Sequence, residues 1–186
     1  MQINETQLKQ VDAQVKRLLD SNHFYGARLR EAGITGVSST DDFLALPFCE
    51  KEDLREAYPL GVSAVPEREI VRIHSSSGTT GTPVIIPYTH KDVDDWAIQF
   101  ARCFEYAGIT PADRIQITPG YGLWTAGIGF QAGCELLGAM AIPMGPGNTD
   151  RQLQFMIDMK STVLCATSSY ALLLAEEIER RDVKDK

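Results

Sequence analysis

The spacing of apolar residues changes character along the chain. Between residues 5 and 58 apolar side chains recur every three to four positions, which predicts short helices. Pro47 and Pro59 interrupt this pattern, because proline ends or kinks a helix. The first predicted helix carries an apolar stripe formed by Leu8, Val11, Val15, Leu18 and Leu19. Residues 1–68 are therefore expected to form a helical region.

From residue 69 onward short β-branched runs alternate with longer amphipathic runs. Strands are predicted at residues 69–74, 84–88, 114–118, 139–143 and 162–166. Among the helices, one is predicted where Thr149 forms a capping box with Gln152, and another where Ser168 or Ser169 follows the last strand. This alternation favours an α/β architecture with a largely parallel sheet in residues 69–186.

Residues 75–83 form a run of serine, threonine and glycine that ends at Pro83. Glycine lets the backbone approach an anion closely, consecutive N–H groups can converge on it, and hydroxyl groups add short donors. A solvated loop or a flexible linker is the ordinary interpretation of such a composition. The β-branched runs on both sides and the rigid Pro83 favour instead an ordered loop that wraps a phosphate chain.

This loop differs from two common nucleotide-binding motifs. A Walker loop places lysine and then serine or threonine after its last glycine and leads into a helix, whereas Gly81 is followed by Thr82 and Pro83. A dinucleotide-binding turn needs a G-x-G-x-x-G pattern at the start of a helix, which Gly78 and Gly81 do not supply. Kinases and dehydrogenases are therefore disfavoured.

Composition restricts the class of partner. The chain has 186 residues, of which 44% are hydrophobic, a proportion typical of a globular core. Its net charge of -7 argues against a nucleic-acid partner, because there is no basic surplus to neutralise phosphates. No leader-like or bilayer-spanning run occurs, so no membrane partner is expected. The four cysteines are interpreted as reduced core thiols of a cytoplasmic protein, and neither they nor the three histidines have metal-ligand spacing.

Five segments in order resemble the phenylacetate–coenzyme A ligases, which are adenylate-forming enzymes. The segments lie within residues 46–55, 72–83, 121–125, 142–152 and 162–172. The resemblance runs from about residue 23 to about residue 177, which is nearly the whole chain. It implies that residues 69–186 form part of the large N-terminal domain of such a ligase.

The resemblance also implies a reaction in two steps. An aryl carboxylate attacks the α-phosphate of ATP and gives an acyl-adenylate and pyrophosphate, and the thiol of coenzyme A then displaces AMP to form a thioester. ATP, Mg²⁺ and coenzyme A would therefore be needed by the complete enzyme. The β- and γ-phosphates would be bound by Ser75, Ser76, Ser77, Gly78, Thr79, Thr80 and Gly81. None of these residues would act as a nucleophile, and no catalytic residue or metal ligand is assigned within the chain.

By the same resemblance the acyl pocket lies near residue 121. Tyr121 and Trp124 would supply aromatic walls, because a flat aryl acid fits between aromatic side chains. Gly122, Gly127 and Gly129 would supply space. The alternative is that both aromatic residues belong to an ordinary hydrophobic core.

Three positions depart from the family pattern. Thr82 stands where the family commonly has lysine, so one positive charge near the phosphates is missing. Pro119 stands where phenylacetate-specific members tend to have tyrosine, and Trp124 replaces a usual phenylalanine. The pocket is therefore expected to differ in shape, and phenylacetate, an indole-type acid, another aryl acid and a smaller acid all stay open.

The chain is less than half as long as the family's enzymes. The adenine- and ribose-binding motifs, the metal-coordinating glutamate and the C-terminal domain with its adenylation lysine would lie beyond the equivalent of residue 186. The chain alone is therefore expected to be inactive or nearly so. The alternatives are a non-catalytic module that binds a nucleotide or aryl acid or that dimerises, and a relative that adenylates another acceptor. An incomplete sheet edge should expose apolar surface, so a homodimer or other self-association through that edge is expected.

Overall fold

The computed structural model describes residues 3–21, 23–76 and 81–184. The chain divides into two compact units, Met1–His90 and Lys91–Lys186. The helices of the first unit are α1 (Glu5–Leu19), α2 (Phe24–Glu31), α3 (Thr40–Leu44) and α4 (Lys51–Glu56). A 3₁₀ turn at Glu67–Glu69 then leads to the strands β1 (Arg72–Ser75) and β2 (Ile85–Tyr88).

The second unit alternates strands and helices. Its elements in chain order are α5 (His90–Tyr106), β3 (Arg114–Ile117), α6 (Ala126–Leu137), β4 (Met140–Pro143), α7 (Thr149–Met159), β5 (Val163–Cys165) and α8 (Ser168–Arg180). Helix α5 begins at the last residue of the first unit. Every strand predicted from the sequence is present, each slightly shorter than its apolar run.

A helical core stabilises the first unit. Val15, Leu29 and Val37 are buried together, and the stripe of α1 packs around them. Helix α1 begins with a capping box, in which the Asn4 side chain accepts from the Gln7 backbone and the Gln7 side chain accepts from the Asn4 backbone. The predicted helical periodicity is therefore confirmed, because the apolar side chains of α1 face one core.

Strands β3, β4 and β5 form one parallel sheet in the order β4-β3-β5. Ile117 of the central strand lies opposite Pro143 on one side and Cys165 on the other. The predicted α/β architecture with a largely parallel sheet is thus confirmed. Strands β1 and β2 form a separate antiparallel pair in the first unit.

The two faces of this sheet are covered by different helices. Ile115 and Ile117 are fully buried in a cluster with Cys134 of α6. Gln116, which points to the opposite face because side chains alternate along a strand, contacts Gln152 of α7. Helices α6 and α7 therefore lie on opposite sides of the sheet, as right-handed crossovers to opposite neighbours of β3 require.

The start of α7 differs from the prediction. Asn148, and not Thr149, is the N-cap, and its side chain accepts a hydrogen bond from the Arg151 backbone. Gln152 is consequently no capping residue and is buried instead. The prediction of a Thr149–Gln152 capping box is therefore wrong by one position.

Two further expectations can be compared with the structure. All four cysteines are free, but Cys49 and Cys103 are exposed, so the expectation of a core position holds only for Cys134 and Cys165. Burial raises the pKa of each of these two buried thiols to about 11. Within the described residues, no helix is long and apolar enough to cross a membrane.

Candidate functional site

The ends of the predicted phosphate loop are fixed by hydrogen bonds between β1 and β2. The Ser76 backbone N–H donates to the Val84 carbonyl at 3.0 Å, and the Val84 N–H donates to Ser76 Oγ at 2.9 Å. The Ser75 hydroxyl donates to the Ser76 carbonyl. These bonds continue the antiparallel register, in which Ser75 lies opposite Ile85. The described ends of the loop therefore lie side by side at the end of an antiparallel strand pair, which agrees with the predicted strands on either side of the loop.

Only part of this loop lies within the described residues. Ser75 ends β1, Ser76 follows it, and Gly81 precedes β2 with a φ of 139°, a backbone conformation that favours glycine. The predicted binding residues outside the described part of the chain are Ser77, Gly78, Thr79 and Thr80. The assignment of all seven residues to phosphate binding stays a prediction.

Buried aromatic packing supports the hairpin next to the loop. His74 is 4% exposed, and its ring lies edge-to-face against Tyr88 with 5.2 Å between centroids. His74 pairs with Ile86 across the two strands. This packing role accounts for the histidine that comes directly before the loop.

In the second unit, Tyr121 lies where the strands of the parallel sheet end. Its ring is so close to Gly127 that an added Cβ there would come within 2.9 Å of it. The Tyr121 hydroxyl is buried and has no hydrogen-bond partner among the described residues. Burial, with a smaller effect of the Glu135 carboxylate, raises the pKa of Tyr121 to about 12. The hydroxyl therefore stays protonated at neutral pH.

The other predicted pocket residues differ in their surroundings. Trp124 is 56% exposed, and a Cβ added to Gly122 would meet no atom within 4 Å, so both border open space. At Gly127 the space is filled, because an added Cβ would lie 2.5 Å from the Gly120 carbonyl oxygen. The Gly127 N–H donates to that same carbonyl and closes the turn before α6. The pocket role of these residues stays a prediction.

Gly129 contributes to helix packing. A Cβ added there would lie 2.5 Å from the Phe100 ring and 2.9 Å from the Trp96 ring, both on α5. Gly133, one helical turn further along α6, is also close to α5, because a Cβ added there would lie 2.8 Å from the backbone nitrogen of Ala101. The space that the sequence assigned to the acyl pocket at Gly129 is therefore occupied by α5.

A buried amide network shapes the loop that follows β4. The Gln152 side chain donates from Nε2 to the carbonyl oxygens of Gly145 at 2.8 Å and Gly147 at 3.4 Å. Its Oε1 accepts from Gln116 Nε2, and the Oε1 of Gln116 accepts from the Ser161 hydroxyl. The network thus connects the centre of the sheet to a loop at its carboxyl end.

An open cavity of about 450 Å³ lies beside this loop. Its lining combines apolar side chains with the Arg151 guanidinium and the polar side chains of Asn148 and Gln152; the apolar residues are Ile142, Pro143, Met144, Pro146 and Phe155. The Arg151 guanidinium lies 5.5 Å from the Phe155 ring centroid. In open α/β sheets, ligands bind outside the carboxyl ends of strands where neighbouring connections go to opposite faces. The loops after β3 and β4 lie at such a place, because these neighbouring strands are followed by α6 and α7 on opposite faces of the sheet.

Sequence reasoning missed the two glutamines that organise this edge. Gln116 is 0% exposed and Gln152 is 1% exposed, which is unusual for uncharged amides. No local signal indicated the burial of Gln116, because polar residues at 114, 116 and 118 alternate with Ile115 and Ile117, a pattern typical of a strand with one exposed face. The partner itself lies 36 positions away and has no local signal.

Comparison with known proteins finds relatives among the phenylacetate–coenzyme A ligases. A phenylacetate–coenzyme A ligase of Pseudomonas putida is 39% identical over 183 residues, which cover 97% of this chain and 42% of the relative. The corresponding ligase of Escherichia coli strain K12 is 40% identical over 169 residues, covering 90% of this chain and 39% of that protein. Over the portion that it covers, the chain is therefore similar to the phenylacetate–coenzyme A ligases. No protein-family model matches it.

Solved structures of a coenzyme A ligase are similar to the chain as well. A 2-hydroxyisobutyryl-CoA ligase in complex with 2-HIB-AMP and CoA superposes with a TM-score of 0.86 at 31% identity, covering 94% of this chain and 39% of that one. The same ligase in its postadenylation state with 2-HIB-AMP gives 0.85 at 30% identity. The fold predicted from the resemblance to phenylacetate–coenzyme A ligases is therefore confirmed. The chain spans about two fifths of the length of the ligases that it matches.

Proposed function

We propose that this chain carries the ATP-phosphate loop and the acyl-pocket segment of an aryl-acid–coenzyme A ligase. The identity of 39–42% to phenylacetate–coenzyme A ligases over most of the chain is the observation that carries the proposal. The complete enzyme would form an acyl-adenylate from ATP and then an acyl-CoA thioester. The chain alone would bind ligands and complete neither step, because it spans only part of those enzymes.

The loop at residues 75–81 would orient the β- and γ-phosphates through hydroxyl and backbone N–H donors. Two anions must approach each other in the first step, so fixed donors lower the barrier by positioning and by charge stabilisation. The hydrogen bonds between Ser76 and Val84 support this role, because they hold the two ends of the loop together. Mg²⁺ would enter with the nucleotide, because Mg²⁺ is usually bound through substrate phosphates together with one or two carboxylates.

The carboxylic acid would bind beside Tyr121 and Trp124. The Tyr121 ring is fixed by its neighbours, and the half-exposed Trp124 indole offers a flat apolar surface. Such a surface favours an aryl acid over a small branched hydroxy acid, because the ring of an aryl acid can stack on the indole of Trp124. Phenylacetate and 2-hydroxyisobutyrate are the two acids to compare, since the named relatives differ in this respect.

Calorimetric titration of the purified chain with ATP and Mg²⁺ tests the phosphate loop. We expect saturable binding that weakens about tenfold or more in a Thr79→Ala/Thr80→Ala variant, because two hydroxyl donors are lost. Ser38→Ala, which removes an exposed hydroxyl bonded to Asp42, is the control and should bind ATP as the unaltered chain does. Absence of nucleotide binding, or equal affinity in the loop variant, would reject the phosphate-binding role.

Titration with the two acids tests the acyl segment. Phenylacetate should bind more tightly than 2-hydroxyisobutyrate, and Trp124→Ala should remove that preference. Incorporation of pyrophosphate into ATP should be absent with either acid. Robust exchange by the chain alone would refute its inactivity, whereas acid binding without nucleotide binding would favour a non-catalytic binding module.

A further inference from the structure

The ring of Tyr121 lies between two glycines that belong to different elements. Its Cδ2 atom would be 2.9 Å from a Cβ added to Gly127, at the start of α6, and 3.9 Å from a Cβ added to Gly145. Gly145 belongs to residues 144–148, which connect β4 to α7 and are called the β4–α7 loop below. In a close-packed interior, the position of this ring edge therefore depends on where the two backbone segments lie.

Hydrogen bonds hold both backbone polar groups of Gly145. Its N–H donates to the Ile117 carbonyl at the end of β3 at 3.0 Å, and the Met144 N–H donates to the same oxygen at 3.1 Å. The Gly145 carbonyl accepts from Nε2 of Gln152 at 2.8 Å, and that nitrogen also donates to the Gly147 carbonyl at 3.4 Å. The loop is therefore fixed by β3 at its N–H groups and by Gln152 at its carbonyl groups.

One side of the β4–α7 loop borders open space. Met144, Pro146 and Gly147 contribute to the lining of the cavity of about 450 Å³. Atoms that face such a cavity have few packing partners, so the loop has room to shift toward it. Gln152 itself has little freedom, since it is 1% exposed and its Oε1 accepts a 2.7 Å hydrogen bond from Gln116. Its amide is therefore a rigid contact that opposes this shift.

We propose that Gln152 is a positioning residue for the acyl pocket, because it holds the β4–α7 loop against the ring of Tyr121. The inference rests on the proposed function, which assigns the carboxylic acid to the surroundings of Tyr121 and Trp124. Gln152 does not act on the acid directly, since its Nε2 is engaged by the two loop carbonyls and its Oε1 by Gln116. Removal of the amide should displace the Tyr121 ring and weaken acid binding while the sheet stays folded.

Hydrogen exchange and NMR of the purified chain test the positioning of the ring. Gln152→Met keeps the length of the side chain and removes the donor, and Gln154→Met makes the same change at an exposed position of the same helix. In Gln152→Met the Gly145 amide should exchange about tenfold faster or more, whereas the Thr118 amide, which is bonded to β5, should change less. The ring ¹³C signal of Tyr121, assigned with Tyr121→Phe, should shift. Gln154→Met should match the unaltered chain in all three signals.

Calorimetric titration with phenylacetate tests the consequence for the acid, with folding of each variant checked by circular dichroism. Gln152→Met should lower the affinity for phenylacetate about tenfold, and Gln154→Met should leave it unchanged. If Gln152→Met does not fold, Gln116→Met replaces it, because that variant removes only the bond that orients the Gln152 amide. It should shift the Tyr121 signal and lower the affinity in the same direction by a smaller factor.

The outcomes separate this proposal from the proposed function. An unshifted Tyr121 signal in folded Gln152→Met would overturn the positioning role. A shifted signal with unchanged phenylacetate affinity would also overturn it, because the amide would then serve the stability of the fold alone. If the unaltered chain binds no acid, the acyl pocket of the proposed function is rejected, and a shifted Tyr121 signal would still support the control of the ring by Gln152.

Discussion

Gln116 at the centre of the parallel sheet donates a 2.7 Å hydrogen bond from its side-chain Nε2 to Oε1 of Gln152 on α7. Gln152 in turn holds the carbonyl groups of Gly145 and Gly147. Both glutamine side chains are excluded from water, so each bond replaces one that solvent would otherwise supply. These hydrogen bonds connect strand β3 to the loop beside the candidate site, so the position of the loop depends on that of the strand.

Gln152→Leu is expected to lower the free energy of unfolding by about 1–3 kcal/mol, because two buried carbonyl groups lose their donor and the Gln116 amide keeps only the backbone carbonyl of residue 152 as its acceptor. Urea titration followed by circular dichroism measures this change. The double variant Gln116→Leu/Gln152→Leu should cost less than the sum of the single variants, since the two amides act as one unit. Strictly additive energies would show that the pair is not coupled. Gln131→Leu on α6 should change stability by less than about 0.5 kcal/mol.

Gly133→Ala is expected to destabilise the second unit. An added Cβ would lie 2.4 Å from Phe100 Cβ and 2.8 Å from the Ala101 backbone nitrogen, and backbone atoms cannot move aside cheaply. Overpacking of this kind costs about 1–3 kcal/mol, which exceeds the gain of about 1 kcal/mol in helix propensity. Thermal unfolding should show a lower midpoint.

The control for this variant is Gly122→Ala, where an added Cβ meets no atom within 4 Å. It should leave the unfolding midpoint unchanged or raise it slightly. An equal loss in both variants would mean that glycine is needed for backbone conformation and not for contact with α5.

Local patterns accounted for most of the architecture. The stripe of α1 and the β-branched runs of the sheet were predictable, because burial on one side imposes a period of 3.6 on a helix, and burial on both sides imposes short continuous apolar runs on a strand. The two strands on either side of the phosphate loop were also predictable, because Val84 and the residues after it form such a run, but their antiparallel pairing was not predicted. These features depend on neighbours within a few positions.

Features that depend on distant contacts were not predictable. The pattern at Thr149 and Gln152 matches a capping box. In the structure, however, the Gln152 side chain accepts a hydrogen bond from Gln116, and Asn148 is the N-cap of α7. Gly129 was assigned to a pocket because glycine creates space, but the sequence does not indicate that Phe100 fills it. The segment at Tyr121 was identified by family resemblance, whereas its buried hydroxyl depends on the packing of α6.

Lys160→Gly is expected to stabilise the chain. Lys160 follows α7 with a φ of 50°, a left-handed conformation that costs a residue with a Cβ about 1 kcal/mol and costs glycine little. Chemical denaturation should show a gain of about 0.5–1 kcal/mol. Asp158→Gly, two residues earlier and inside the helix, is the matched control and should lose about 1 kcal/mol. A loss in both variants would indicate that the Lys160 side chain contributes contacts of its own.

His23 should make the first unit less stable as the pH falls. Its Nδ1 accepts a hydrogen bond from the Tyr25 backbone N–H at 3.1 Å and caps α2. Only the neutral ring can do so, because a protonated Nδ1 is a donor and has no free lone pair. Burial is the main cause that lowers the pKa of His23 below its ordinary value of 6.5, and the positive charge of Arg17 adds to it. A lowered pKa means that the folded state binds fewer protons than the unfolded state. The stabilising contribution is therefore complete above pH 6.5 and is lost as the pH falls through the folded-state pKa.

Urea unfolding between about pH 7.5 and about pH 5 measures this dependence, and most carboxylates stay ionised over that range. His23→Asn is the informative variant, because the asparagine oxygen can still accept from the Tyr25 N–H but does not titrate. Stability should fall with pH in the unaltered chain and should fall less steeply in His23→Asn. Identical slopes in the two proteins would show that protonation of His23 does not oppose folding and that the acid sensitivity of the unit has another origin.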